Sequence, residues 1–141
     1  MRFVRTVDIQ AAPARVWQVM SDVEAWPSWT ASVTSVHLLD AGPLRVGARA
    51  VVRQPRLPVA TWRVTDLVPG TSFTWVARGP GLRTTGRHEV VPDGDWSTAT
   101  LTLDQEGPLG GLVGRLTRDL TERYLALEAD GLKRRSESGE A

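Results

Sequence analysis

The feature that most constrains this chain is a change of period. From Ser32 to about residue 105, apolar residues recur at every second position. Turn signals interrupt them every dozen residues or so: "DAGPL" at 40, "QPRLP" at 54, "VPG" at 68, "RGPG" at 78 and "PDGDW" at 92. A period of two puts alternate side chains on opposite faces of an extended backbone, so this stretch predicts six strands, near 32–39, 45–54, 59–68, 71–78, 82–91 and 96–105. Turns this short join only antiparallel neighbours, and the strands are expected to form a meander.

The flanks read differently. Residues 2–10 alternate, with Phe3, Val7 and Ile9 among polar partners, and add a seventh strand. Pro13 suits the first turn of a helix, and "PARVWQVMS" turns Val16, Trp17 and Met20 to one side. Ser21 and Glu24 have the spacing of a capping box, which predicts a second short helix from Asp22 or Val23, ended or kinked at Trp26 by Pro27. After "EGPLGG" the period returns to 3.6, with Leu109, Val113, Leu116, Leu120, Tyr124 and Leu127 on one face of a helix running to about Arg135. About 25 residues at roughly 1.5 Å each make a rod of nearly 40 Å, whose apolar stripe calls for a concave surface to lie in. The expected class is α+β: one domain over 1–135, with a frayed tail at 136–141.

Composition removes several kinds of function. Cysteine is absent, which excludes disulfides, thiolate metal sites and cysteine nucleophiles. His37 and His88 stand far apart, and no metal site is expected. The net charge is +1, with basic residues scattered among acidic ones, so no nucleic-acid partner is expected. Of 17 basic residues only Lys133 is a lysine, a bias expected of a GC-rich bacterial genome. No apolar run reaches the length of a membrane span, the first ten residues do not read as a signal peptide, and a cytoplasmic location is expected. "GPLGGLVG" lacks the Lys-Ser/Thr end of a phosphate loop; its glycines suit close packing of a helix start on the sheet, or a bend there.

Alternation assigns faces. Ala60, Trp62 and Val64 oppose Thr61, Arg63 and Thr65. Phe73, Trp75 and Ala77 share the apolar face of the next strand. Leu82, Thr84, Gly86, His88 and Val90 oppose the charged set Arg83, Arg87 and Glu89, which turns His88 inward, and Ala99, Leu101 and Leu103 complete the inner face. Trp17, Trp62 and Trp75 fill a core or line a pocket; Trp96, in a turn, belongs to the surface. His88 titrates near physiological pH and offers a general acid or base or a hydrogen bond to a ligand, unless a neighbouring strand satisfies it. Thr84 and Tyr124 offer hydroxyls nearby, and one of Arg53 and Gln54 must face inward.

The segments "IQAAPARVWQVMSDVEAWPSW" at 9–29, "RQPRLPVATWRVTDLVPGTSFTWVARGPG" at 53–81, "GRHEVVPDGD" at 86–95 and "TERYLALEADGLK" at 121–133 carry a resemblance over most of the chain. In order and motifs they resemble the START and birch-pollen-allergen-like (SRPBCC) superfamily, and within it the polyketide cyclase/dehydrase and lipid-transport group. The resemblance implies a helix-grip fold: a seven-stranded curved antiparallel sheet around the long C-terminal helix, two short helices after the first strand, and a cavity for a hydrophobic ligand. The leading expectation is a cofactor-free binding module for a polyketide- or lipid-like molecule, monomeric or homodimeric, with no membrane span. The alternative is an aromatase/cyclase or dehydratase that positions its substrate and moves protons. Aromatase/cyclase relatives often carry a pocket arginine where Arg78 stands, although strict alternation turns Arg78 outward. The candidate catalytic residues are therefore His88, Arg78 and Tyr124, and the candidate ligand-binding residues are Trp26, Trp29, Gln54, Trp62, Phe73, Trp75, Thr84 and His88. Trp26 is expected to anchor the crossover against the core and reach the pocket rim, with Trp29 the more mobile residue at the entrance.

Overall fold

The computed structural model describes residues 1–138. Strand β1 (Arg2–Ile9) leads into helix α1 (Pro13–Ser21) and a 3-10 helix (Val23–Ser28). Six strands follow: β2 (Ser35–Leu38), β3 (Arg49–Arg53), β4 (Ala60–Val68), β5 (Ser72–Gly79), β6 (Leu82–Asp93) and β7 (Trp96–Glu106). Helices α2 (Gly110–Leu116) and α3 (Arg118–Glu137) end the chain. The strands form one seven-stranded antiparallel sheet in the order β1-β7-β6-β5-β4-β3-β2, so the meander is closed at its far edge by the first strand. This is the helix-grip arrangement that the alternation and the long C-terminal stripe lead to.

Alternation fails once, and usefully. The β4–β5 register shifts between Val64 and Asp66: Val64 pairs with Trp75, but Leu67 pairs with Phe73. Unbroken alternation from Trp62 and Val64 would turn Asp66 into the core. One extra residue in β4 reverses the parity, leaving Asp66 exposed and Leu67 packed inward.

The helices depart from expectation in four ways. The capping box does not form: the Ser21 hydroxyl donates to the Trp17 carbonyl (2.8 Å), and Glu24 accepts from the Leu38 amide (3.0 Å). The crossover is 3-10, with three residues per turn, so Trp26 and Trp29 share a face and their rings lie 5.8 Å apart. The single long helix is two: Thr117 leaves helical backbone (φ −107°, ψ 8°), and its hydroxyl bonds back to the Val113 carbonyl at 2.7 Å. Finally, residues 136 and 137, expected in the tail, belong to the helix. α3 continues through Glu137, Ser136 is 1% exposed, and Arg15 donates to the Arg135 carbonyl at 3.1 Å. Residues 139–141 of the expected tail lie outside the described residues.

Candidate functional site on the concave face

Strand register builds the inner face in rows. Phe73, His88 and Leu101 stand opposite one another across β5, β6 and β7; the next row is Trp75, Gly86 and Leu103, and the next is Ala77, Thr84 and Gln105. Cross-strand neighbours on one face touch, and here they are rings. Phe73 and His88 stack with centroids 4.3 Å apart at 12°. Trp75 meets His88 edge-on at 5.7 Å, and Trp62 lies 5.5 Å from Trp75. Gly86 permits this: a Cβ there would stand 3.1 Å from the Trp75 indole nitrogen and 3.6 Å from the Trp62 ring.

The crossover closes this end. Trp26, 3% exposed, sits 5.2 Å from His88 and 5.3 Å from Trp75, its indole N–H held by the Met20 carbonyl at 3.0 Å. Trp29 is wedged between Trp26 and α3, where a Cβ on Gly131 would overlap the Trp29 carbonyl oxygen. That is a structural clamp, in place of the mobile residue expected at the entrance. Trp17 reaches Phe73 edge-on at 6.3 Å, and Trp96 is 42% exposed in its turn.

Three polar groups are packed away from water in the interior, the first of them among these rings. His88 is buried, and its Nδ1 has no hydrogen-bond partner among the described residues. Burial pushes its pKa down to about 4, against a smaller opposing effect of the Phe73 backbone, so the imidazole is neutral near pH 7. The Gln105 Oε1, at the other end, is likewise buried without a partner. Glu128 is partly exposed as a residue, yet its carboxyl is packed tightly enough that desolvation raises its pKa to about 7, with a Ser32 hydroxyl hydrogen bond pulling the other way. Ser32 in turn joins the Thr30 hydroxyl at 2.8 Å, and its carbonyl accepts from Gln54 at 3.2 Å.

Sequence reasoning missed Glu128 because it drew the α3 stripe through Leu120, Tyr124 and Leu127. The buried face includes Thr121, Tyr124, Leu125, Ala129 and Leu132. Glu128 follows Tyr124 and precedes Leu132 by four residues each, a carboxylate within the stripe.

The candidate catalytic residues are not brought together. Arg78 is exposed: β5 and β6 pair without a bulge, and Arg78 faces Arg83 across them. The Tyr124 hydroxyl donates to the Pro55 carbonyl, tying α3 to the β3–β4 turn, in which Arg56 takes a left-handed φ of 67°. Between Arg53 and Gln54, it is Arg53 that is exposed. Of the three, only His88 lies on the concave face with a free nitrogen.

The inner face is tightly filled from Trp26 to Trp75 and looser beyond. Ala60, Ala77, Leu82, Thr84 and Leu103 are half-buried, so solvent reaches the concave side toward the β5–β6 turn and α2. Two hollows lie elsewhere. One, of about 350 Å³, is bordered by Phe3, Arg5, Glu122 and Leu125; the other, of about 420 Å³, by Trp17, Glu24, Leu38, Leu44 and Leu67. No group of metal-ligating side chains occurs among the described residues, and none of their helices is long and apolar enough to cross a membrane.

Comparison with known proteins agrees with this architecture. The solved structure of the ZhuI aromatase/cyclase from Streptomyces sp. R1128 superposes with a TM-score of 0.79 at 17% identity, covering 100% of this chain and 99% of that one. A START superfamily protein from Mycobacterium smegmatis gives 0.74 at 23% identity, covering 97% of each chain. The uncharacterized protein Rv2574 of Mycobacterium tuberculosis is 25% identical over 112 residues, 75% of this chain and 67% of its own length. The family model described as "Polyketide cyclase / dehydrase and lipid transport" matches residues 1–137, and the chain belongs to that family.

Proposed function

We propose that this chain, acting as one unit over residues 1–135, binds a hydrophobic polyketide- or lipid-like molecule on the concave face, and carries it rather than converts it. The seat runs from Trp62 and Trp75 to the row Ala77, Thr84 and Gln105. The observation that carries the reading is the make-up of this face: packed rings, half-exposed apolar positions, and a Gln105 carbonyl oxygen with no hydrogen-bond partner among the described residues. Ligand sites are typically apolar walls with a few polar anchors. The apolar body of the ligand lies against the two indoles, and a hydroxyl at its polar end donates to Gln105. The chain is proposed to work in the cytoplasm, as a monomer or homodimer.

The enzyme reading, aromatase/cyclase or dehydratase, rests on the free Nδ1 of His88. A base with a pKa of about 4 is poorly matched to proton abstraction near pH 7. That mismatch, with Arg78 exposed and Tyr124 engaged, favours binding. A His88-dependent loss of water from a β-hydroxyacyl thioester, read by mass spectrometry, would reverse this preference.

The binding test uses N-phenyl-1-naphthylamine, a neutral probe that brightens in apolar surroundings. Saturable one-to-one binding is expected. Thr84→Phe, which fills the seat, is expected to weaken it by about tenfold or more while the protein stays folded, since one or two kcal/mol of lost apolar contact is of that order. Equal binding by Thr84→Phe would remove the seat.

A further inference from the structure

Helix α2 is inside out. Its buried residues are Gly110 and Gly114, four apart on one face. A Cβ on Gly110 would stand 2.6 Å from the Gln105 carbonyl oxygen, and one on Gly114 2.5 Å from the Met1 sulfur, so the glycine face is pressed against the end of β7 and the N-terminus. The leucines point the other way: Leu109 is 44% exposed, Leu112 56% and Leu116 76%. Spacings of three and four put them together on the solvent face, whereas the 3.6 period places Leu109 and Leu116 in a buried stripe with Val113. A large side chain in place of either glycine could not be seated. Turning the leucines inward would require lifting the helix off the sheet.

Around this face stand arginines. Arg115 lies on α2 between Leu112 and Leu116, and Arg118 begins α3; both are exposed. The β5–β6 turn is fastened to the same place, since the Leu109 amide donates to the Gly81 carbonyl at 2.9 Å. That turn brings Arg78 and Arg83, paired across the hairpin and exposed. None of the four is in an ion pair among the described residues, although Glu106 on β7 stands opposite Arg83, and Asp119 and Glu122 follow Arg115 and Arg118 by four residues on α3.

We propose that the leucine face of α2, with Arg78, Arg83, Arg115 and Arg118, docks on the surface of an anionic lipid bilayer. Exposed leucines beside arginines that are in no ion pair match a surface with an apolar interior under negative headgroups: the leucines enter the boundary and the guanidinium groups meet phosphates. The docked tip adjoins the half-buried end of the concave face, where Leu82 and Thr84 lie. The inference goes beyond the ligand reading and would hold with any ligand or none.

The test is co-sedimentation with sucrose-loaded vesicles of phosphatidylcholine alone or mixed equally with phosphatidylglycerol. The protein is expected to pellet with the mixed vesicles, to stay in solution with phosphatidylcholine alone, and to be released by high salt. Leu112→Ser with Leu116→Ser should cut pelleting by about tenfold or more, and Arg115→Gln or Arg118→Gln by about fivefold each. All these positions are exposed, so the melting temperature serves as a check that each variant is folded. No pelleting with the mixed vesicles, or equal pelleting by the folded double leucine variant, would overturn the proposal. So would a wild-type dimer in light scattering that the double leucine variant splits, which would assign the face to self-association. Probe binding on the concave face is read separately, so either idea can fail alone.

Discussion

The two ends of the concave side are built by opposite rules. At the crossover end, large rings point inward and meet: Phe73 is 0% exposed, Trp26 3% and Trp75 4%, and the one glycine of α3 that faces them, Gly131, exists to let Trp29 through. At the α2 end, glycines point inward and leucines outward. Both ends use glycine for close approach, but one uses it to pack rings into the interior and the other to free a helix face for something else. One end therefore holds the fold together, and the other leaves the α2 leucines and the half-buried residues Leu82 and Thr84 open to solvent.

Stability measurements in denaturant should divide along the same line. Phe73→Ala removes the ring on which Trp17, Trp26, Trp75 and His88 all lean, and is expected to cost about 3–5 kcal/mol. A loss below about 1 kcal/mol would mean that the ring cluster is loosely packed. The pH dependence comes next. A neutral buried His88, with a folded pKa of about 4 against 6.5 unfolded, contributes stability that is present above pH 6.5 and lost as pH falls toward 4, up to roughly 3 kcal/mol. Glu128, raised from 4.5 to about 7, has the opposite sign: the folded state keeps its proton longer, so stability falls as pH rises from 4.5 to 7. The two nearly cancel between pH 4.5 and 6.5. Glu128→Gln should uncover a stability that climbs over that range, and His88→Gln one that declines; identical pH profiles for both variants would contradict the assignments.

Smaller effects follow at the points of close approach. Gly131→Ala should destabilise by about 2 kcal/mol, despite the better helix propensity of alanine, because the obstacle is the Trp29 backbone. If it stabilises instead, the Trp29 clamp is wrong. Leu116→Ser, at the exposed end, should change stability by no more than about 0.5 kcal/mol. A larger loss would mean that the leucine face is part of the core after all.

Much of this was legible in the chain. Alternation turned Trp62, Phe73, Trp75, His88, Ala99 and Leu101 inward, and each is buried; it also turned Arg78 outward against the pull of the resemblance. What escaped has particular causes. The bulge between Val64 and Asp66 changes parity without any glycine or proline to announce it. Leu109, Val113 and Leu116 fit a buried stripe as well as the glycines fit a buried groove, and a sequence does not say which of two opposite helix faces the sheet will take. Glu128 was passed over because a carboxylate inside an apolar stripe reads as the stripe's edge until Tyr124 and Leu132 bracket it. Pro27 reads as the end or kink of a helix at Trp26, whereas a 3-10 turn accepts that proline and brings Trp26 and Trp29, three residues apart, into ring contact.

The central claim is that a hydrophobic molecule lies against Trp62 and Trp75. The chain has six tryptophans, and their indole N–H signals can be followed one by one in nitrogen-edited NMR spectra after assignment by substitution. Titration with N-phenyl-1-naphthylamine should shift the Trp62 and Trp75 signals saturably and together, leaving that of Trp96, in its exposed turn, where it was. Shifts at Trp96 with Trp62 and Trp75 unmoved would contradict the account.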